Sequence, residues 1–135
     1  MSGVAVVAAA LLLGIAGFQA GLAAGAPWGA ASYGGRAASD DGRLPVPMRA
    51  MSAVAVVILV LAAWTVLAQG GVVASGPVSA DTLRLVTWGI AAYLALNTLG
   101  NLTSKNRTER LVMGSVSLVL VLLTAIVAWQ GDGPA

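Results

Sequence analysis

The chain has no cysteine and no histidine, and only 9% of its 135 residues are charged. Each scarcity excludes a class of chemistry. Without cysteine there is no disulfide, no thiolate nucleophile and no thiolate metal ligand, and the redox compartment cannot be read. Without histidine the commonest general base and the commonest metal ligand are both missing. A soluble domain carries about a quarter charged residues. Here 59% of residues are hydrophobic and the mean hydropathy is +0.91, a balance that points to lipid as the solvent. A net charge of +2 makes the pI of about 9.7 no nucleic-acid footprint, so no nucleic-acid partner is expected. The length allows a single domain, residues 1–135.

What is present is long apolar runs. A bilayer core of roughly 30 Å needs about 20 apolar helical residues. Val4–Gly25, Met51–Ala68, Leu85–Leu102 and Leu111–Trp129 meet that need without any Asp, Glu, Lys or Arg. In lipid only helices or closed barrels satisfy the backbone. Barrel strands would alternate polar and apolar residues over about ten positions, and these runs do not alternate. The expectation is an all-α membrane protein, an up-down bundle of four transmembrane helices over about 4–25, 50–68, 82–102 and 109–129. Ala24-Gly25-Ala26 resembles a signal-peptidase site, but no basic residue precedes Arg36, so the first run reads as an uncleaved span.

Arginine and lysine placement orients the bundle. Arg36, Arg43, Arg49, Lys105, Arg107 and Arg110 fall on the side of the first and third connections; Arg84 stands alone on the other. The positive-inside rule then places connection 26–47 in the cytoplasm and both termini outside the cytoplasm. Trp64, Trp88 and Trp129 lie near the outer ends of their spans and Trp28 near the inner end of the first, as aromatic belts require.

The connections carry turn chemistry. Pro27, Pro45 and Pro47 bound the first, whose Gly and Ser content argues against a helix through it. It reads as a solvated loop or as a lid anchored by Trp28 and Tyr33. Ser79 is placed to cap the third span and Thr108 the fourth. Asn101-Leu-Thr and Asn106-Arg-Thr match the glycosylation pattern but fall on the cytoplasmic side of this topology.

Two sets of residues stand out within the spans. Gly17, Gly21 and Gly25 recur every four residues with Gly14 near the same face, and Gly114 opens a small-residue seam through Ser117, Val121, Thr124 and Ala128. Such stripes let helices approach closely, inside the bundle or between copies. The second set is polar. Gln19 precedes Gly25 by six residues, about 9 Å of helix, and Asn97 precedes Leu102 by five, a similar depth. Ser52, Ser115 and Ser117 begin the second and fourth spans at that level, and Asn101 follows Asn97 by one turn. Gln19, Ser52, Asn97, Asn101, Ser115 and Ser117 therefore form a candidate polar layer under the cytoplasmic mouth. It reads either as hydrogen-bonding glue between helices or as a binding site for a small neutral solute or ion.

No catalytic group is expected. Asp40, Asp41, Asp81, Glu109 and Asp132 lie in loops or at helix ends, and Glu109 with Lys105, Arg107 and Arg110 reads as a surface ion cluster. The spans offer no ionisable residue of the sort a proton-coupled pump needs. A small four-helix drug/proton antiporter fits poorly, because the first span lacks a glutamate. No enzyme activity, cofactor or metal is expected.

Gly25–Gly35 (GAPWGAASYGG) and Leu96–Gly114 (LNTLGNLTSKNRTERLVMG) resemble small four-span integral membrane proteins of high-GC bacteria, over most of the chain. The resemblance implies a four-span fold and a bacterial inner-membrane location, and supplies no activity or site residue. Two functions remain open. One is binding or passage of a small solute or ion, as an oligomer; the other is an accessory or assembly role in a larger membrane complex. The partners expected are the bilayer and either further copies or other membrane subunits.

Overall fold

A computed structural model describes residues 2–29 and 42–134. Four helices account for most of them: α1, Ser2–Ala23; α2, Val46–Gln69; α3, Ala80–Leu102; and α4, Gly114–Gln130. A π-helical turn, Glu109–Met113, leads directly into α4. No strand occurs among the described residues. Counting that turn with α4, all four helices are long and apolar enough to cross a membrane.

Contacts at the helix ends give the topology. Arg49 near the start of α2 donates from Nε to Ala23 O at the end of α1 (3.1 Å), and Gly70 beyond the end of α2 packs on Ala5 near the start of α1. These two helices are antiparallel. Arg84 in the first turns of α3 reaches Ala128 O and Gly131 O at the end of α4, so that pair is antiparallel too. Gln69 Nε2 donates to Gly131 O (3.2 Å), which brings the last turns of α2 and α4 to one end. The molecule is thus two helical hairpins, α1–α2 and α3–α4. Their connections share the arginine-rich end; the chain termini and the 70–79 connection share the other.

Local chemistry explains each boundary. Two helices end in Schellman motifs. At α1, Ala26 N donates to Gly21 O (2.9 Å) and Gly25 N to Leu22 O (3.1 Å), with Gly25 at φ +95°. At α2, Val72 N donates to Leu67 O (2.9 Å) and Gly71 N to Ala68 O (3.1 Å), with Gly71 at φ +78°. Pro45 precedes α2, and Pro47 sits in its first turn, where a missing N–H costs nothing. Ser79 caps α3 as expected, accepting from Thr82 N at 3.2 Å. Thr108 does not cap the fourth span; it is helical and makes no capping bond. Asn106 does so instead, its Oδ1 accepting from Glu109 N at 3.0 Å. The helix starts two residues earlier than Thr108 would place it.

Side-chain size sorts the two faces of each helix. The buried residues of α1 are chiefly alanines, Ala5, Ala8, Ala9 and Ala16, around Leu12, and they pack on Leu59, Ala62, Ala63 and Val66 of α2. The outward faces carry large apolar side chains such as Leu85, 72% exposed, and Leu96, 70% exposed. An apolar surface on all sides is stable against hydrocarbon and not against water. Inside lipid, small residues let backbones approach and gain dispersion contacts. Three of the buried threonines solve their polarity locally: Thr65, Thr87 and Thr98 each donate to the carbonyl four residues back, at 2.7–2.8 Å, whereas Thr124 Oγ1 is unpaired. This core occupies the centre and the terminal end. Towards the arginine-rich end the hairpins part.

Candidate functional site

The parted hairpins leave a cleft of about 810 Å³, and all four helices line it. Ile15, Phe18 and Gln19 come from α1, and Met51, Val54 and Ile58 from α2. Tyr93, Leu96, Asn97 and Asn101 come from α3, with Glu109, Met113 and Ser117 from the π turn and α4. Tyr93, Asn97 and Asn101 follow at intervals of four, one stripe of α3. Glu109, Met113 and Ser117 are likewise four apart.

The polar residues form one bonded group and one isolated member. Asn101 Nδ2 donates to Ser117 Oγ (2.9 Å) and to Met113 O (3.3 Å), and Asn97 Nδ2 donates to the same Ser117 Oγ at 3.3 Å. Ser117 is buried, Asn101 half-buried and Asn97 exposed to the cleft. Gln19 bonds to none of them; its Oε1 is buried and accepts no hydrogen bond. An unpaired buried acceptor costs free energy that a donor from a guest would recover.

The layer expected from the sequence therefore divides. Ser52 is fully buried and lies off the cleft wall, engaged elsewhere in the chain. Ser115 is exposed, and its Oγ donates to Leu111 O at 2.6 Å, so it belongs to no shared group. Depth along the sequence brings residues to one level, but helix rotation decides which way they face.

The glycine stripe divides too. Gly14 and Gly17 are exposed, with open space where a Cβ would stand, so they are not an internal seam. Gly21 makes room for the ring of Trp28, which stacks on Phe18 with centroids 5.9 Å apart and planes 11° from parallel. Gly25 serves the Schellman turn, and a Cβ there would also lie 3.2 Å from the Arg49 guanidinium. Gly114 is buried, facing the Leu102 side chain of α3. Equal spacing thus conceals several different functions. Of the lid reading, Trp28 folds back on α1, and Gly29 N donates to Gly42 O (2.7 Å); Tyr33, Arg36, Asp40 and Asp41 lie outside the described residues.

One cleft residue was assigned elsewhere by the sequence. Glu109 is 3% exposed and lines the cleft, whereas Lys105, Arg107 and Arg110 are exposed. It is not part of a surface ion cluster. With Asn106 as the cap, Glu109 is the third helical residue and turns inward with Met113. A capping glutamate commonly reaches back to the backbone N–H of the cap residue. Here Ser104 Oγ already accepts from Asn106 N at 3.1 Å. The Asn106–x–x–Glu109 pattern could have revealed this start in the sequence, had Thr108 not looked like an equally good cap. The π turn adds to the interest of the place, since such turns recur at functional sites.

Two of the arginines near this end are bonded to backbone carbonyls. Arg49 bonds to Ala23 O, and Arg110 Nη1 donates to Ser104 O at 3.3 Å. Among the described residues no cluster of acidic side chains could hold a metal ion. Chemically, the arrangement can hold a small amphiphile: apolar walls, carboxamide groups, a phenol and one carboxylate. No protein-family model, no curated protein and no solved structure matches the chain.

Proposed function

We propose that this multi-pass membrane protein takes a small solute into the cleft between its hairpins, from the cytoplasmic side of a bacterial inner membrane. The orientation rests on the arginine and lysine distribution. The binding role rests on one observation: Gln19 Oε1 is buried and unpaired beside a cleft that also presents Asn97 and Asn101. Side chains serving only as glue satisfy one another across the helix interface. Gln19 has the depth for glue and no partner.

Gln19→Leu and Asn97→Val test this reading. Solute binding or passage falls while the folded bundle and its assembly state persist. If both variants merely loosen the bundle, the polar residues are glue.

A second reading has its own support. Gly14 and Gly17 leave an open stripe on the outer face of α1, the kind of surface another helix packs against. In that reading the chain is an accessory subunit or a homo-oligomer. Native mass spectrometry after mild-detergent purification separates the cases: foreign subunits support the accessory role, and copies of the chain support the oligomer.

A further inference from the structure

The cleft continues beyond its polar residues. A second, narrower cavity of about 270 Å³ runs between α2 and α3 towards the terminal end, and the two share Ile58 and Tyr93. Leu12, Leu59 and Leu94 form its buried side, while Ile58, Val86 and Tyr93 along it are exposed. It is therefore a trough open to hydrocarbon. Apart from the Tyr93 phenol its side chains are apolar, and a Cβ added at Gly89 would meet nothing within 4 Å. From Val86 to Leu94 the helix rises about 12 Å, and over that length the volume has the width of one alkyl chain. The cleft itself is polar in one sense above all. Both N–H groups of Asn101 are taken up by Ser117 and Met113, so its Oδ1 is what it can offer a guest. Gln19 Oε1 is a buried acceptor without a donor. Glu109 already has an interaction within the chain, which leaves the carboxamides to receive a guest. Acceptors at this depth match a head that donates. Phosphate, sulfate and carboxylate heads only accept when ionised, and a charge held this far inside hydrocarbon is unfavourable.

Building on the solute reading above, we infer that the guest is an uncharged single-chain amphiphile with a hydroxyl head, taken from the leaflet at the arginine-rich end. Its hydroxyl donates to Gln19 Oε1 in the cleft. Its alkyl chain passes Ile58 and Tyr93 and lies in the trough between α2 and α3. Asn97 and Val86 are eleven residues apart, about 16 Å of helix, close to the hydrocarbon depth of one leaflet. A chain in the trough stays among apolar groups, as it was in the bilayer. Selection therefore rests on the head, and the chain adds packing contacts.

The test uses the full-length protein in nanodiscs of zwitterionic lipid at neutral pH, with affinities expressed per mole fraction of probe in the bilayer. The probes are 1-dodecanol, dodecane, which lacks the head, and 1-hexanol, which lacks half of the chain. The Gln19 side-chain amide NMR signal reports the head, and the Ile58 and Ile90 methyl signals report the chain. Ile126 lines neither cavity and reports nonspecific partition. 1-Dodecanol shifts Gln19, Ile58 and Ile90 saturably and leaves Ile126 unmoved. Dodecane binds about tenfold more weakly, as expected for the loss of one hydrogen bond to a buried acceptor. 1-Hexanol shifts Gln19 but not Ile90, and binds several-fold more weakly than 1-dodecanol. Gly89→Leu, which fills the trough where a side chain meets open space, brings 1-dodecanol down to the affinity of 1-hexanol and leaves 1-hexanol unchanged. Dodecane binding as tightly as 1-dodecanol overturns the hydroxyl head. An Ile90 signal that ignores 1-dodecanol, or a folded Gly89→Leu variant that binds it unchanged, overturns the chain in the trough; a Gln19 response to 1-hexanol would then leave the cleft a site for smaller solutes. Silence of Gln19 towards both alcohols also overturns the inference, and the solute reading is judged apart from it by Gln19→Leu and Asn97→Val.

Discussion

Glycine shows how one residue type serves opposite ends. Gly25 and Gly71 hold positive φ in the turns that close α1 and α2. An L side chain in that conformation costs roughly 1–2 kcal/mol. Gly25→Ala and Gly71→Ala therefore each lower stability by about that amount, measured by unfolding in mixed micelles. Gly14→Ala and Gly17→Ala meet open space. They leave monomer stability unchanged or raise it by up to about 1 kcal/mol through better helix propensity, and loss of an oligomer in these variants would mark that face as an interface. The carboxamides rank just as clearly. Asn101 makes two bonds and is half-buried; Asn97 makes one longer bond and is exposed. Asn101→Leu destabilises more than Asn97→Val, by about 1 kcal/mol against a few tenths. The same unfolding assay detects the difference, and the reverse order would contradict the network.

Helix ends carry the element-scale energetics, because the last carbonyls of a helix have no partner within it. Arg84 supplies three donors to the end of α4, reaching Ala128 O, Trp129 O and Gly131 O at 2.8–3.0 Å. A cation there also meets the negative end of the helix dipole. Arg84→Ala costs about 1–2 kcal/mol, read as a fall in thermal stability in detergent; Arg84→Gln loses less. At the start of the fourth span Asn106 and Thr108 are separable by the same measurement. Asn106→Ala costs about 1 kcal/mol and Thr108→Ala almost nothing. The capping residue of α3 was legible in the sequence because Ser79 had no rival. That of the fourth span was not, since two candidates stood two residues apart and only the backbone path distinguishes them. The inward turn of Glu109 follows from that path, so its place in the cleft was hidden as well.

The whole molecule is two well-packed hairpins joined along a smaller seam. Small side chains bring α1 against α2, and Gly114 receives Leu102 between α3 and α4. At the terminal end Gln69 and Arg84 converge on Gly131, and the Gln69 bond joins the two hairpins. At the other end the cleft opens between them. A solute entering it would meet the half of the bundle with the least direct packing, where repositioning of one hairpin costs least. Threading is tested at this scale. A periplasmic reporter fused after Ala135 is active if the arginine-rich connections face the cytoplasm. An inactive one beside an active cytoplasmic reporter reverses the orientation and with it the side on which the cleft opens.

Composition alone determined the solvent and the fold class. Four uncharged apolar runs without a two-residue alternation satisfy their backbones in lipid as helices and not as barrel strands. Turn chemistry determined most helix ends to within a few residues. Periodicity also brought Asn97 and Asn101 onto one stripe of α3. Rotation about each helix axis was left open, because side chains in lipid lack the polar-out pattern that reveals the inner face of a soluble helix. Packing alone turned Gly14 outward and Ser115 away from its expected partners. It also left Gln19 unpaired and brought a buried glutamate to the wall of the cleft.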